Sequence, residues 1–252
     1  MIFASDLDNT LIYSYKKNIK DAICVEYLNG CAQSFCTKRT INLLQDICDK
    51  LLFVPITARS LEQYKRISWP VRCKPYYAVT TNGAIMLENN QVYMEWFNQS
   101  KVLVNSWEKE MRFMEKQLSG KIGLKRVSIV DEMYLYAVGE NENIAQYYAN
   151  LFYKKTELQI EVSGRKIYFL PLDLNKGKAV ERLRQKFGDQ IVISAGDSQM
   201  DISMLQKADI SIFPHQNITG IEAEITHIQS KNNMIFSDYV LQTVQAEMYK
   251  AK

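Results

Sequence analysis

The sequence predicts an α/β fold, a core built on a parallel sheet with helices on its faces and a second α+β domain inserted into it. Three observations predict this. Four short apolar runs end in polar residues, helical spacing recurs between them, and the middle third of the chain follows a different order of elements.

The runs are Ile2-Phe3-Ala4 before Asp6-Leu7-Asp8-Asn9-Thr10, Leu51 to Ile56 before Thr57-Ala58-Arg59, Ile191-Val192-Ile193 before Gly196-Asp197-Ser198, and Ile210 to Phe213 before Pro214-His215. Runs rich in β-branched residues and bounded by turn formers read as buried parallel strands. Between them, Ile41, Leu44, Ile47 or Cys48, and Leu51 recur at helical spacing, as do Val180, Leu183 and Phe187 ahead of Gly188, a C-terminal stop. Alternation of strand and helix at both ends implies a parallel sheet, whose strand ends are where ligands bind. Asn29-Gly30, within Cys24 to Cys36, signals a hairpin that forms a flap near the first strand end.

In the middle third, Leu103, Trp107, Met111, Met114 and Leu118 predict one amphipathic helix from Asn98 to Gly120, followed by two strands from Arg126 to Val138 around Asp131-Glu132. The order then repeats. A helix over Asn143 to Lys154 precedes strands at Leu158 to Val162 and Lys166 to Leu170. The reading divides the chain into a core of residues 1–82 and 172–252 and an inserted domain of residues 83–171.

Composition narrows the function. The 252 residues are 47% hydrophobic and 23% charged, in the range of an ordinary globular chain, and 31 basic against 28 acidic residues leave a net charge of only +3. That excess argues for neither nucleic acid nor an anionic membrane as partner. No apolar stretch approaches the roughly 20 residues of a membrane span, and the N-terminus has no basic leader pattern. The five cysteines form no CxxC pair and fit reduced thiols in a cytoplasmic setting. With two histidines, His215 and His227, carboxylates must carry any chemistry.

Asp6 and Asp8 are two residues apart, so in an extended segment they project from one side. Such carboxylates repel unless a cation lies beside them. With Asp197 from another strand end they form a hard-oxygen set suited to Mg²⁺, which favours carboxylates together with a phosphate. Lys176, opening the helix before the third strand, brings an ammonium to phosphate oxygens, and Thr57 brings a hydroxyl donor. Backbone N–H groups near Leu7 and Ala58 complete a cradle for a transferring phosphoryl group.

Asp6-Leu7-Asp8-Asn9-Thr10-Leu11, Thr57, Lys176 and Gly196-Asp197-Ser198-Gln199-Met200-Asp201 resemble, in order, the four motifs of the haloacid dehalogenase-like (HAD) phosphohydrolases. The insertion entered through Thr81-Asn82-Gly83-Ala84 resembles the α/β cap of the Cof-type and sucrose-phosphatase-like branch. The resemblance implies a Rossmann-like core and a Mg²⁺-dependent phosphatase acting on a small phosphate ester, such as a sugar phosphate. It implies that Asp6 is the nucleophile and forms an aspartyl-phosphate, and that Asp8 is the acid and then the base. Thr57 and Lys176 would steady the phosphoryl group. Asp6, the backbone carbonyl of Asp8 and Asp197 would hold the metal, with Asp201 behind them. Ala58, Arg59 and Asn82 are candidate substrate-binding residues. The cap would set specificity, with Lys125, Arg126, Arg165 and Lys166 as its basic candidates, while Tyr134, Tyr136 and Trp107 read as core. Ala58 stands where the branch usually has Gly, Asn9 where Gly is frequent, and Met200 where Asn is usual. Two alternatives stay open: a phosphohexomutase-like phosphotransferase, and a non-catalytic phosphate-sensing or partner-binding protein.

Overall fold

The computed structural model describes residues 1–214, 218, 220–221, 223–229 and 234–250, so His215 lies outside the described residues. Two compact units are present, Met1–Val92 with Lys176–Lys252, and Tyr93–Asn175.

The first unit opens with the wholly buried strand β1 (Ile2–Ser5), then a short β2 (Tyr13–Ser14) and a hairpin of β3 (Ala22–Leu28) and β4 (Cys31–Thr37). The hairpin turn is Asn29-Gly30, with φ of 51° and 76°, left-handed values that these two residue types tolerate. Helix α1 (Lys38–Cys48) starts where the Thr37 side chain accepts the Thr40 N–H, and it buries Leu44 and Ile47. Strand β5 (Leu52–Pro55) and helix α2 (Leu61–Lys65) follow. Strands β6 (Tyr77–Thr80), β7 (Ile85–Glu88) and β8 (Gln91–Val92) then form an antiparallel sheet. Their pairing carries the first unit through Val92, past the 82/83 crossing of the sequence reading, and the chain rejoins the unit at Lys176.

The second unit holds α3 (Met94–Asn105), α4 (Glu108–Leu118), β9 (Leu124–Val130), β10 (Tyr134–Gly139), α5 (Glu142–Phe152), β11 (Gln159–Ser163) and β12 (Lys166–Leu170). The single helix expected over Asn98 to Gly120 is two helices. At Ser106-Trp107 the Ser106 hydroxyl donates to the Leu103 carbonyl, and the Trp107 N–H bonds three residues back to Val104. Such local bonds compete with the regular ladder and end α3. The two hairpins merge into one antiparallel sheet, ordered β11-β12-β10-β9, because β10 pairs with β12 from Leu135↔Phe169 to Val138↔Lys166.

Back in the first unit, α6 (Lys176–Phe187) ends before Gly188, which has φ of 81°. It leads to β13 (Val192–Ala195), α7 (Ile202–Gln206), β14 (Ile210–Pro214), β15 (Ile225–Gln229) and α8 (Phe236–Lys250). The central sheet is parallel and ordered β15-β14-β13-β1-β5. Strand β1 is flanked by β5 on one side and β13 on the other, so chain order reverses at its C-terminal end, where open α/β sheets form binding crevices. Among the described residues, no helix is long and apolar enough to cross a membrane.

Candidate active site

Three sheet strands and one helix start deliver the acidic, basic and hydroxyl groups. Asp6 follows β1, and its N–H donates to the Ala195 carbonyl at 2.9 Å. Thr57 follows β5 and is buried, its N–H bonded to the Val79 carbonyl at 2.9 Å. Asp197 lies just beyond β13, and Lys176 is the first residue of α6. The neighbouring Gly177 lets α6 sit against α7: a Cβ there would meet the Ser203 backbone, to whose hydroxyl the Gly177 N–H donates at 3.1 Å.

Lys176 is 2% exposed, and its Nζ donates to Asp6 Oδ1 and to Asp201 Oδ1, each at 2.6 Å. Burial works to lower the ammonium pKa, but the charges of Asp201 and Asp6 outweigh it and hold the group protonated. The carboxylates bear the opposite strain. Burial raises the Asp6 pKa well above its ordinary value; Lys176 opposes this, and Asp201, Asp197 and Asp8 add to it. Asp197 is pushed up to about 7 by burial and by Asp201, against the pull of Lys176 and a 3.4 Å hydrogen bond from Thr10 Oγ1.

Ligand atoms of Asp6, Asp197 and Asp201 lie within 4.8 Å of one another. Three carboxylates against one ammonium leave net negative charge on hard oxygen donors, which fits a divalent cation such as Mg²⁺. Asp201 is held within this group by its other oxygen, which accepts the Asp197 and Ser198 N–H groups at 3.1 and 3.0 Å and the Ser198 hydroxyl at 2.8 Å. Gly196 makes room for it. A Cβ at Gly196 would lie 2.5 Å from Asp201 Cγ and 2.9 Å from its Oδ2.

The Asp8 carboxylate is not in that cluster. It receives a two-pronged contact from Arg59, Nε to Oδ2 at 2.8 Å and Nη2 to Oδ1 at 2.7 Å. The segment that follows it turns sharply: Asn9 has φ of 60°, and its N–H reaches the Ile12 carbonyl at 2.7 Å. Asn82 is buried in a turn where Thr81 and Asn82 have φ of 55° and 56° and Gly83 has 103°. This turn is tied to the second strand end, since Asn82 N–H donates to the Thr57 carbonyl and Thr81 N–H to the Arg59 carbonyl. Non-glycine residues in left-handed conformations cost energy and persist only where the surroundings fix them.

A family model for haloacid dehalogenase-like hydrolase matches residues 109–234, half of the chain. The chain belongs to that family. The matched span contains Lys176, Asp197 and Asp201. Over 187 residues the chain is 25% identical to a phosphoglycolate phosphatase of Sulfurisphaera tokodaii, which covers 74% of this chain and 75% of that protein. Among solved structures it is similar to the sucrose-phosphatase of Synechocystis sp. PCC6803 in complex with sucrose and phosphate, with a TM-score of 0.65 and 16% identity over 98% of this chain and 97% of that one. It is also similar to trehalose-6-phosphate phosphatase of Aspergillus fumigatus, with a TM-score of 0.55 and 14% identity over 97% and 91%. At these identities the structures establish the shared fold, a parallel core with an inserted α+β cap. This HAD-like hydrolase is an enzyme that groups with phosphatases.

In the cap unit, Lys125, Arg126, Arg165 and Lys166 are exposed; of the aromatic residues expected in the core, Tyr134 is buried, while Tyr136 and Trp107 are only half-buried. Sequence reasoning missed Glu26 and Ser34, which touch Arg59. Only a buried glutamate in a hairpin with a second, register-facing hydroxyl marks them, and that is no motif.

Proposed function

We propose that this chain hydrolyses a small phosphomonoester, a sugar phosphate or a similar metabolite, through a phosphoryl-aspartate on Asp6. The observation that supports it most is the buried Lys176 ammonium shared by Asp6 and Asp201, with Asp197 alongside. Asp6 attacks phosphorus with a carboxylate oxygen, forming a P–O bond as the ester P–O bond breaks. Asp8 protonates the departing oxygen, then takes a proton from the water that splits the phosphoryl-aspartate. Lys176 and Thr57 orient and offset the charged phosphoryl oxygens. Asp6, Asp197 and the Asp8 backbone carbonyl would hold Mg²⁺, which supplies positive charge against the phosphate dianion and favours the ionised form of both carboxylates.

The test is inorganic phosphate release from a panel of phosphoglycolate, hexose phosphates, sucrose and trehalose phosphates and an aryl phosphate, with Mg²⁺ or with EDTA. Phosphoglycolate, sucrose phosphate and trehalose phosphate correspond to the names of the similar proteins. The account expects Mg²⁺-dependent release from at least one ester, lost in Asp6→Asn. An inert protein across the panel refutes it, and activity only with a bisphosphate activator would redirect it to phosphotransfer. Five free cysteines, three of them with thiol pKa values raised mainly by burial, are in keeping with a reducing, cytoplasmic setting.

A further inference from the structure

The hairpin β3–β4 sends one buried carboxylate toward the end of the sheet. Glu26 is 3% exposed, and the β3–β4 register shifts on both sides of it, between Cys24 and Glu26 and between Glu26 and Tyr27. A bulge re-aims a side chain out of the regular alternation, and bulges gather beside functional sites. Here the chain is pinned in the new direction, since Glu26 bridges to Ile67 and the Ser68 N–H donates to the Val25 carbonyl at 2.7 Å.

The re-aimed carboxylate meets Arg59. Glu26 Oε2 accepts from Arg59 Nη1 at 2.8 Å and from the Ser34 hydroxyl at 2.5 Å, while Oε1 accepts from Arg66 Nε at 3.1 Å. Ser34 Oγ in turn accepts from Arg59 Nη2 at 3.1 Å. All three guanidinium nitrogens of Arg59 are thus engaged: Nε and Nη2 on Asp8, Nη1 on Glu26, Nη2 also on Ser34. Burial pushes the Glu26 carboxyl up, yet the Arg59 charge and the hydrogen bonds from Ser34, Arg59 and Arg66 bring it below its ordinary value, so it is an anion beneath the fork. A planar guanidinium gripped on one edge presents its other edge in a fixed plane, and so fixes the half-exposed Asp8 side chain that it holds.

We propose that Glu26 is a positioning residue, which fixes the Arg59 guanidinium and through it the Asp8 carboxylate at the leaving-group oxygen, with Ser34 bracing the pair. This rests on the reading of Asp8 as leaving-group acid. It gives Arg59 a different task from direct substrate binding, and it makes the hairpin part of the proton-transfer apparatus.

The experiment compares wild type, Glu26→Gln, Ser34→Ala and Arg59→Lys on two substrates, p-nitrophenyl phosphate, whose leaving group departs without a proton, and an alkyl phosphate, whose leaving group needs one. The proposal expects kcat on the alkyl ester to fall about ten- to a hundred-fold in Glu26→Gln and Arg59→Lys, a partial loss of general-acid catalysis, with KM little changed and a much smaller loss on the aryl ester. Ser34→Ala, which removes a single brace, should show the same split to a lesser degree and decides the matter if Glu26→Gln does not fold. Equal losses on both esters, or none, overturn the proposal. A crystal structure of Glu26→Gln, or of Ser34→Ala if Glu26→Gln does not fold, reads the same point without turnover: an Asp8 carboxylate displaced from the fork supports it, and an unchanged Asp8–Arg59 contact refutes it. If wild type hydrolyses neither of these two esters, that structure alone decides the role of Glu26; the phosphatase reading itself fails only if the wider panel is inert as well.

Discussion

Replacing Lys176 with methionine keeps the length of the side chain and removes its charge. The ammonium is 2% exposed and donates 2.6 Å bonds to both Asp6 and Asp201, so the variant strands two buried carboxylates facing each other and Asp197. Removing one partner of a buried ion pair costs about 3–5 kcal/mol. In a chain of this length each kcal/mol moves Tm by about 2–4 °C, so the metal-free variant should melt about 6–20 °C below wild type near neutral pH. The loss should shrink in acid. Asp6 and Asp197 already titrate above their ordinary range, and without the lysine they rise further, so protons replace the missing cation as pH falls. Thermal unfolding by circular dichroism in EDTA, at about pH 7.5 and about pH 5.5, measures both effects. A Tm shift under about 2 °C at the higher pH, or a larger loss at the lower one, would refute the reasoning.

Gly196→Ala forces a methyl group into the Asp201 carboxylate; it should destabilise the fold by about 1–3 kcal/mol and cut phosphate release, and wild-type stability and turnover would count against the packing described. The Asp197 carboxyl keeps its proton to about pH 7 when folded but loses it near 4 when unfolded, so metal-free stability should fall as pH rises through that window. Asp197→Asn should flatten this dependence in urea unfolding at pH 5 and pH 8, and an equally steep fall in the variant would contradict it. A Mg²⁺ ion held by Asp197 would have to displace that proton, so calorimetry should find tighter binding at pH 8 than at pH 6, and equal affinities would argue against Asp197 as a ligand.

The strands that position the site were legible because each is a short, mostly apolar and buried run that leads into polar residues, as with Ile2–Ser5 and Val192–Ala195. Strand β15 was not, because ITHIQ is an edge strand with exposed Ile225 and Ile228 and lacks that signature. The break at Ser106-Trp107 was not legible either, since Val104 and Met111 continue the apolar stripe across it and only local hydrogen bonds end the helix. Asp6, Lys176, Asp197 and Asp201 could be singled out because their residue types recur at strand and helix ends in fixed order. Their grouping beside Gly196 follows from parallel pairing of β1 with β13, a long-range register no local pattern encodes. The link from Glu26 to Asp8 was hidden for the same reason, depending on a bulge and on Arg59 reaching across three segments.

Phosphorylation of one named side chain is the event on which the functional reading turns. Asp8→Asn protein, mixed with p-nitrophenyl phosphate and Mg²⁺ and quenched in acid, can be digested and its peptides weighed by mass spectrometry. The account predicts an added phosphoryl group on Asp6, absent from the Asp6→Asn/Asp8→Asn double variant. Turnover of the ester by wild type with no phosphoryl group ever trapped on Asp6, or one found on another residue, would contradict it.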